Sequence, residues 1–381
     1  MIVVTAISAV HLPKAIVMAK SVKEQMPGSK IVVALMEDKL PSAAKQCSYF
    51  DETVLMKDIA AWDSVSKFFF QYTLIEAERA CRSFAVRYVY DKYGSENHFV
   101  SMDAGTMMLS PLNELPTIWE AHPIAMASKV VFPESLDAHM QSNVRQKGIF
   151  DTAFVALRRH SITNDFLKWW CRLSENNCYY EIDSSRFADQ SWLDFTHTLF
   201  DNVYAIRNPG YLVNADNLME RWNITAAGPN HYEIEGQPLR IILPSSGFLQ
   251  ATAWIEDANA MLYQELYENY RARIEAESDA AVESVPWCYS IFASGEAISD
   301  LTKSLFRRYY YENPETENPY LLTNAYFGTG EELMNGYSST DEAMLDPSPD
   351  ESFEKTNALK RRKLVRKKRK SIRRKRIQRR K

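Results

Sequence analysis

Two short apolar runs near the amino terminus, separated by one helical pattern, constrain the fold of this chain more than any other feature. Residues 2 to 8, IVVTAIS, are mostly β-branched and too few for a helix, and residues 30 to 38, KIVVALMED, form a second run that ends in acids. Between them, Pro13 opens a helical pattern that PGS at 27 to 29 ends. Its apolar face comprises Ala15, Ile16, Ala19 and Val22. Strand, helix and strand in this order predict a parallel sheet, whose ligands bind beyond the carboxyl ends of its strands.

Further strand and helix patterns extend this α/β character along the chain. TVLM at 53 to 56 is a candidate third strand, and residues 73 to 93 form a long helix with one apolar face. Later candidates are the strands at 151 to 159, 202 to 207 and 239 to 243, and the helices at 164 to 173, 251 to 276 and 298 to 310. The predicted fold class is therefore α/β.

One of the apolar runs ends in a single carboxylate. The stretch HFVSMDAG at 98 to 105 predicts a buried strand with Asp103 at its tip, followed by small residues. A carboxylate at such a tip can ligate a cation that carries a phosphate group. Aspartate is also common where a strand simply ends in a turn. The residues alone leave both interpretations open.

The composition excludes several classes of protein. No stretch of about 18 or more apolar residues occurs, so no membrane-spanning helix is predicted, and the N-terminal segment lacks the basic leader of a secretory signal. The five cysteines include no C-x-x-C pair, which indicates neither a disulfide framework nor a zinc site. These features favour a reducing cytoplasm as the compartment.

The charge of the chain is divided between an acidic body and a basic tail. Residues 360 to 381 contain 16 Lys or Arg and no acid, which leaves 29 basic against 49 acidic residues in the remainder. A run of this charge cannot fold alone and must act through a partner. Anionic lipid at the inner membrane face, nucleic acid, and the acidic body itself all fit, with the membrane favoured. Residues 330 to 359 have the composition of an acidic, flexible linker.

Eight sequence pieces, in order, resemble a bacterial family of GT-A nucleotide-sugar glycosyltransferases that is distantly related to glycogenin. The resemblance covers roughly residues 1 to 320. The pieces are VTAIS, ERACRSFAVRYVYDKYG, MDAGTMMLSPLNEL, GIFDTAFVALRR, FLKWW, FADQSW, RNPGYLVNADNLMERW and SSGF, and FASGEAISDLTKSLFRRYY resembles the family's closing segment. The resemblance implies a GT-A domain at 1 to 250, with a mixed, mostly parallel sheet flanked by helices. A helical extension at 251 to 329 would pack on that domain.

The resemblance also implies a donor site and a catalytic site. Residues expected at the nucleotide-sugar donor are Thr5, Arg82, Asp103, Gly105, Asn217, Ser246 and Gly247. Asp189, Gln190 and Asp151 are expected near the anomeric carbon, the sugar or the acceptor. The implied activity is transfer of a sugar from a nucleotide-diphosphate donor to a glycan or lipid-linked acceptor.

Two departures from the family pattern bear on a metal ion. The family's D-x-D turn, which holds Mn²⁺ or Mg²⁺ on the donor diphosphate, is Asp103-Ala104-Gly105 here. The family's metal-binding histidine precedes an F-S-G turn, and this chain has Pro244 in that place. Asp103 is therefore the one metal ligand that the resemblance still implies, and the sequence predicts an impaired cation site.

Each candidate residue also has a purely structural interpretation. Arg82 can lie at the surface of its helix, Asp189 can be a helix N-cap, and the tryptophans at 169, 170 and 192 can belong to the core. If these residues have only structural roles, the alternative function is that of a binding protein. Such a protein would derive from a transferase that has lost its catalytic centre, and its tail would recruit it to membrane or nucleic acid. A GT-A-type glycosyltransferase remains the first hypothesis, and the sequence leaves open whether it uses a metal ion.

Overall fold

The structure is a computed structural model that describes residues 1–181, 186–245, 247–255, 257–278 and 285–328. These residues belong to one compact unit. The linker at 330 to 359, the basic tail at 360 to 381 and Ser246 lie outside the described residues. The roles predicted for these residues therefore stay predictions. The predicted domain boundary at residue 250 also stays a prediction.

A seven-stranded mixed sheet forms the centre of the molecule. In chain order its strands are β1 (Ile2–Ile7), β2 (Lys30–Leu35), β3 (Glu52–Leu55), β4 (His98–Met102), β6 (Ile124–Ser128), β7 (Phe150–Arg158) and β10 (Val203–Ile206), and their spatial order is β10-β6-β7-β4-β1-β2-β3. Within this sheet β7 pairs antiparallel with β4 and β6, and the other pairs are parallel. The predicted α/β class with a mixed, mostly parallel sheet is confirmed.

Shorter strands build three smaller sheets among the described residues. They are β5 (Met107–Met108), β8 (Tyr180–Glu181), β9 (Arg186–Phe187), β11 (Val213–Asn214), β12 (Ile224–Gly228), β13 (His231–Ile234), β14 (Gln237–Pro238) and β15 (Ile241–Leu243). The antiparallel strands β12, β13 and β14 were not predicted from the sequence. Asn230 and Gly236 lie in turns and both have positive φ. These turn residues, with alternating residues on either side, are the sequence signal that could have revealed the three strands.

Helices cover both faces of the central sheet. They are α1 (Leu12–Gln25), α2 (Ser42–Gln46), α3 (Met56–Ile59), α4 (Val65–Phe70), α5 (Leu74–Lys92), α6 (Leu115–Ala121), α7 (Ala138–Lys147), α8 (Ser161–Asn176), α9 (Gln190–Leu193), α10 (Thr196–Leu199), α11 (Phe248–Thr252), α12 (Asp257–Glu277), α13 (Asp300–Leu305) and α14 (Asn324–Phe327). Short 3₁₀ helices occupy Ala9–His11, Pro133–Ser135, Cys288–Ser290, Pro314–Thr316 and Pro319–Leu321, and Phe306–Tyr310 forms a π-helical turn.

Several predicted boundaries differ from the structure. The third strand ends one residue early because Met56 already begins α3. The helix predicted over 251 to 276 is two helices, α11 and α12, and the one over 298 to 310 is α13 followed by the π-helical turn. Helical periodicity alone does not reveal such breaks, because the apolar spacing continues across them.

Alternate residues of β1 supply the two core layers. Ile2, Val4 and Ala6 face the layer that α5 and α8 cover, whereas Val3 and Ile7 face the layer of α1 and α6. Burial on both faces explains why the strand is a continuous apolar run rather than an alternating one. Packing on both faces thus fixes the register of the strands in the sheet. The carboxyl edge of the sheet lies outside these core layers and can carry polar residues.

Gly210 occupies a position that no larger residue can take. Its carbonyl oxygen accepts hydrogen bonds from the backbone N–H groups of Arg240 and Ile241, which presses the chain against the neighbouring strand. A Cβ atom at residue 210 would lie 2.0 Å from the carbonyl oxygen of Pro238.

We therefore expect Gly210→Ala to lower the free energy of unfolding by about 3 kcal/mol, because the backbone must move to relieve the overlap. The matched control is Gly28→Ala, where nothing lies within 4 Å of the added methyl group. Urea denaturation of both variants measures the difference. Equal stabilities would contradict this account of the loop.

Candidate functional site

Asp103 lies at the carboxyl end of β4 and pairs with Arg82. Its backbone N–H donates to the Ala153 carbonyl at 2.9 Å, which extends the β4–β7 ladder by one residue. One carboxylate oxygen accepts a hydrogen bond from the Gly105 N–H at 2.7 Å, and the other accepts one from Nη2 of Arg82. The Arg82 side chain is 5% exposed and that of Asp103 is 22% exposed. The surface interpretation of Arg82 is therefore wrong, because this guanidinium lies inside the molecule at the strand tip.

Helix α5 brings a second arginine to the same place. The helix starts with a capping box in which Thr73 and Glu76 exchange side-chain-to-backbone hydrogen bonds. Arg79 and Arg82 are three residues apart and share a helix face. Nη1 of Arg79 donates to the Thr152 hydroxyl at 2.7 Å, and Nη1 of Arg82 donates to the Thr152 carbonyl at 3.3 Å. Both guanidinium groups thus converge on one residue of β7.

Thr152 connects the arginines to Asp189. Its hydroxyl donates to Oδ1 of Asp189 at 3.1 Å, and the Asp189 side chain is buried. Oδ2 of Asp189 has no hydrogen-bond partner in the part of the chain that the structure describes. The Trp170 indole favours the ionised carboxylate, but its N–H does not reach hydrogen-bonding geometry. A buried acceptor without a partner is costly unless a ligand supplies the missing donor.

The local backbone explains how Asp189 reaches this position. Ala188 has a positive φ of 49°, which is uncommon for a residue with a side chain, and it turns the chain immediately before Asp189. Asp189 itself precedes α9 with helical dihedral angles, and its side chain makes no capping hydrogen bond. Asp189 is thus the N-cap residue of α9, as the structural interpretation expected, but its carboxylate does not cap the helix.

An irregularity in β7 presents Asp151 and Thr152 to the site. Met126 of β6 pairs with Val155, but the next residue, Ala127, pairs with Asp151, so the ladder skips three residues of β7. Bulges of this kind redirect side chains and occur beside active sites. Oδ2 of Asp151 accepts the side-chain amide of Asn214 at 2.8 Å, and Oδ1 accepts the Ala153 N–H at 3.0 Å.

The remaining candidate residues lie around this centre in different settings. The Gln190 amide donates to the Lys147 carbonyl at 2.6 Å. Both ends of the Asn217 amide are used inside its own loop, by the backbone N–H of Asn214 and the carbonyl of Leu212, so this side chain shapes the loop. Thr5 is buried in β1, one residue beyond the last β1–β4 pair. Gly247 begins α11 with a φ of 87°, and an added Cβ would lie 3.9 Å from that of Ala215.

The charges of the site perturb the two central carboxylates in opposite directions. Burial by itself would raise the pKa of Asp103, but the guanidinium groups of Arg82 and Arg79 and the Gly105 N–H outweigh it and lower that pKa. Burial dominates at Asp189, whose pKa is raised although Arg79 and Arg82 oppose the rise. Separated pKa values of neighbouring acids are typical of functional sites.

The residues present do not fit the divalent cation that the family resemblance implies. Both oxygens of Asp103 are already hydrogen-bonded, and Gly105 has close neighbours where the family has its second acid. Its Cβ would lie 3.1 Å from Cδ1 of Leu243 and 3.2 Å from Oδ1 of Asp103. Within the described residues no group of three or more His, Cys, Asp or Glu could hold a metal ion. The positive charge at the strand tip is instead that of two arginines.

Asp194 gives a pH-dependent signal close to the site. Burial raises its pKa to about 6, although the Ile149 and Phe150 N–H groups favour the ionised carboxylate. Because the folded protein then binds the proton more tightly than the unfolded chain does, protonated Asp194 contributes stability below about pH 4. That contribution is lost as the pH rises through about 6.

Asp194→Asn removes this titration and leaves an oxygen that can accept the same backbone hydrogen bonds. We expect the wild-type free energy of unfolding to fall relative to that of the variant as the pH rises through the pKa of Asp194. Urea denaturation across this range measures it. Asp165→Asn, at a side chain that is 65% exposed, serves as the control and should follow the wild-type pH curve. Parallel curves for wild type and Asp194→Asn would refute the assignment.

Sequence reasoning missed Arg79 and the residues Lys129, Lys147 and Asp216, which lie beside Asp151 and Gln190. Arg79 was detectable, because it lies one helical turn before Arg82. Lys129 follows an apolar run and is indistinguishable in sequence from the polar end of an ordinary strand. Its burial depends on loops that are distant along the chain.

Comparison with known proteins gives one limited sequence match and several structural ones. No protein-family model matches the chain. The uncharacterized protein YfnF of Bacillus subtilis (strain 168) is 27% identical over 81 residues, which are 21% of this chain and 27% of that protein. The match thus spans about a quarter of the relative's length.

The similar solved structures carry the names of glycosyltransferases. One is the galactosyltransferase LgtC in complex with donor and acceptor sugar analogs, with 14% identity, a TM-score of 0.42, and coverage of 75% of this chain and 98% of that one. Another is the glycosyltransferase GlyE of Streptococcus pneumoniae TIGR4, with 15% identity, a TM-score of 0.39, and coverage of 76% and 66%. Mouse xyloside xylosyltransferase 1 has 10% identity, a TM-score of 0.37, and coverage of 64% and 97%.

The described helices were also compared with the requirements for crossing a membrane. Among residues 1–181, 186–245, 247–255, 257–278 and 285–328, no helix combines the length and the apolar character of a transmembrane span.

Proposed function

We propose that this chain is a GT-A-type glycosyltransferase that transfers a sugar from a nucleotide-diphosphate donor to a glycan or lipid-linked acceptor without a bound divalent cation. The observation that carries the proposal is the convergence of Arg79 and Arg82 on the strand tip at Asp103 and on Thr152. Ligands of parallel α/β sheets bind at such carboxyl ends. Guanidinium groups are suited to diphosphate oxygens because they donate two parallel hydrogen bonds and keep their charge.

The reaction needs positive charge at the leaving group. The bond between the anomeric carbon and the terminal phosphate oxygen breaks, and its electron pair leaves on the diphosphate. The acceptor hydroxyl oxygen bonds to the anomeric carbon, and its proton passes to the released diphosphate. Arg79 and Arg82 would stabilise the charge that develops on that group, as preorganised donors do in other enzymes.

The carboxylates and amides around the arginines would handle the sugar. Asp189 offers an unpartnered oxygen that can accept a sugar hydroxyl or stabilise positive charge at the anomeric carbon. Asp151, held by Asn214, and Gln190, held against Lys147, would bind sugar or acceptor hydroxyls. Thr5, Gly105, Asn217, Ser246 and Gly247 are proposed as further donor-binding residues, and Asn217 would act by shaping its loop.

The basic tail would place the enzyme beside its acceptor. Sixteen cations in residues 360 to 381 would attract anionic lipid by about 1 kcal/mol each, enough to hold a cytoplasmic enzyme at the inner membrane face. Nucleic acid is the competing partner. Removing residues 360 to 381 and comparing liposome with RNA binding separates the two.

Turnover of nucleotide sugars tests the proposal directly. The full chain is incubated with a panel of UDP- and GDP-sugars in the presence of Mn²⁺ or of EDTA, and release of the nucleoside diphosphate is measured. We expect one donor to turn over at similar rates in both conditions. No turnover of any donor under either condition would contradict the proposal, and turnover that requires Mn²⁺ would contradict its metal-independent form.

A catalytically inactive binding protein is the second candidate, favoured by one specific observation. Asp103 and Arg82 satisfy each other, so the strand tip is already neutralised without a ligand. Thermal-shift measurements with nucleotide sugars in EDTA distinguish the candidates. Stabilisation by a nucleotide sugar together with turnover supports the transferase, whereas stabilisation without turnover supports the binding protein.

A further inference from the structure

A buried lysine beside the proposed sugar site lacks a hydrogen-bond partner. Lys129 directly follows β6 and its side chain is 1% exposed. Its backbone N–H donates to the Ile149 carbonyl at 2.9 Å, which fixes the residue next to the start of β7. Nζ makes no hydrogen bond to any described residue, and Oδ2 of Asp216 lies 3.8 Å away. An ammonium group can donate three hydrogen bonds, and burying it without them is costly.

A second lysine shares the same counterion. Nζ of Lys147 donates to Oδ1 of Asp216 at 2.8 Å, and the Asn143 amide donates to the same oxygen at 3.3 Å. Both ammonium groups lie over the ring of Phe187, at 5.7 Å for Lys129 and 5.5 Å for Lys147. Two cations therefore converge on one aromatic ring, and among the described residues Asp216 is the carboxylate in contact with both.

Asp151 supplies negative charge near Lys129 but no hydrogen bond to its ammonium group. It is close enough to favour the charged form of Lys129, but its two oxygens accept hydrogen bonds from Asn214 and Ala153. Burial lowers the pKa of Lys129. The negative charges of Asp151 and Asp216 offset this effect only partly, so the ammonium group would gain from a further anion. Asp216 is ionised, since Lys129 and Lys147 outweigh the effect of its burial and lower its pKa.

The cluster is part of the site rather than a remote ion pair. Phe187 precedes Asp189 by two residues, and Lys147 is bound through its carbonyl to Gln190. The side chains of Lys147 and Asp216 are 26% and 29% exposed, so a ligand can reach them.

We propose that Lys129, Lys147 and Phe187 form an anion-binding subsite, the lysine subsite, which takes the carboxylate or phosphate group of an acidic sugar substrate. This inference rests on the proposed function and deepens it by naming the substrate class. The anion supplies the hydrogen-bond acceptor that the buried ammonium group of Lys129 lacks. Charged hydrogen bonds between buried groups give strong discrimination against neutral analogues, because those leave the cations unpaired.

Binding of simple probes to the full chain tests the lysine subsite. Glucuronate and inorganic phosphate are compared with glucose by isothermal titration calorimetry. We expect at least one of the anions to bind about tenfold or more tightly than glucose, and Lys129→Met to abolish that preference. A preference for glucuronate identifies a carboxylate and a preference for phosphate identifies a phosphorylated sugar. Equal binding of all three probes, or no anion binding, would overturn the proposal.

Two further variants separate a binding role from a structural one. Asp216→Asn removes the resident carboxylate, so anion affinity should rise about tenfold and the anion should raise the melting temperature of the variant. A merely structural ion cluster would lose stability without any gain in anion affinity. Lys303→Met is the control, since Lys303 is also buried but donates to the Tyr72 carbonyl at 2.8 Å and has no contact with Asp216.

The design keeps failure of this inference distinct from failure of the proposed function. Lys129→Met should retain binding of nucleoside diphosphate, which depends on Arg79 and Arg82. Anion preference without any nucleotide binding would refute the transferase and leave the lysine subsite standing. Turnover of nucleotide sugars that does not depend on an acidic group on the sugar or the acceptor would refute the lysine subsite and leave the transferase standing.

Discussion

Arg82→Met is expected to reduce donor turnover by about 100- to 1,000-fold, because it removes half of the positive charge that faces the leaving diphosphate. The guanidinium is buried, so no bulk water replaces it, and methionine has a similar volume but no hydrogen-bond donor. The loss should appear in turnover measured with EDTA as well as with Mn²⁺. Arg82→Lys should recover part of the activity, since it restores the charge without the paired donors.

The companion variant Asp103→Asn distinguishes arginine-based from metal-based stabilisation. If a cation were held at the strand tip, losing its remaining ligand would be as damaging as losing Arg82. If the arginines neutralise the diphosphate themselves, Asp103→Asn should cost less than about tenfold, because Asn keeps an oxygen for the Gly105 N–H. Stability must be measured for both variants, since breaking a buried ion pair is itself destabilising. Comparable losses in the two variants would argue against the arginine mechanism.

Asp189→Asn is expected to lower kcat by about 100-fold or more, with little change in the donor KM. On the proposed function, its unpartnered oxygen would make its full contact with the sugar only as the glycosidic bond breaks, and removing such an interaction lowers kcat and kcat/KM together. Asparagine can still accept the Thr152 hydroxyl, so the link to Arg79 is preserved. The fold should be no less stable, because a buried carboxylate without full hydrogen bonding is replaced by a neutral amide.

Asp194→Asn is the matched control for this variant. Asp194 is a neighbouring buried acid with a raised pKa, but its oxygens are occupied by the N–H groups of Ile149 and Phe150. Its replacement should leave turnover within about twofold of wild type. Steady-state kinetics on both variants, with denaturation curves, make the comparison. Equal losses of activity in the two variants would show that turnover needs any buried acid in this region, and would contradict a specific chemical role for Asp189.

The sequence predicted those parts of the fold that local patterns determine. The runs around Ile2–Ile7 and Lys30–Leu35 are buried on both faces, so their continuous apolar character identified parallel strands and the sheet edge where Asp103 lies. The capping box at Thr73 marks the start of the helix that carries both arginines. These signals depend on residues close together in the chain.

Features that depend on distant contacts could not be predicted in the same way. The skipped pairing lies on the β6 side of β7, while the pairing of β7 with β4 is regular, and the sequence of residues 150 to 154 does not indicate it. Lys129 is surrounded in part by Phe187 and Asp216, which are far away in sequence. The charged chemistry of the site is therefore more hidden from sequence than the scaffold that supports it.

The packing around Gly105 limits how this protein could change in future. A single exchange of Gly105 for aspartate would complete the acidic motif on paper, yet the new side chain would press on Leu243 and on the Asp103 carboxylate. The Leu243 side chain would have to shift by a few tenths of an ångström, and Arg82 would compete with the metal for the same oxygen. A route towards metal use would thus have to displace the contact between Arg82 and Asp103 as well as supply the second acid.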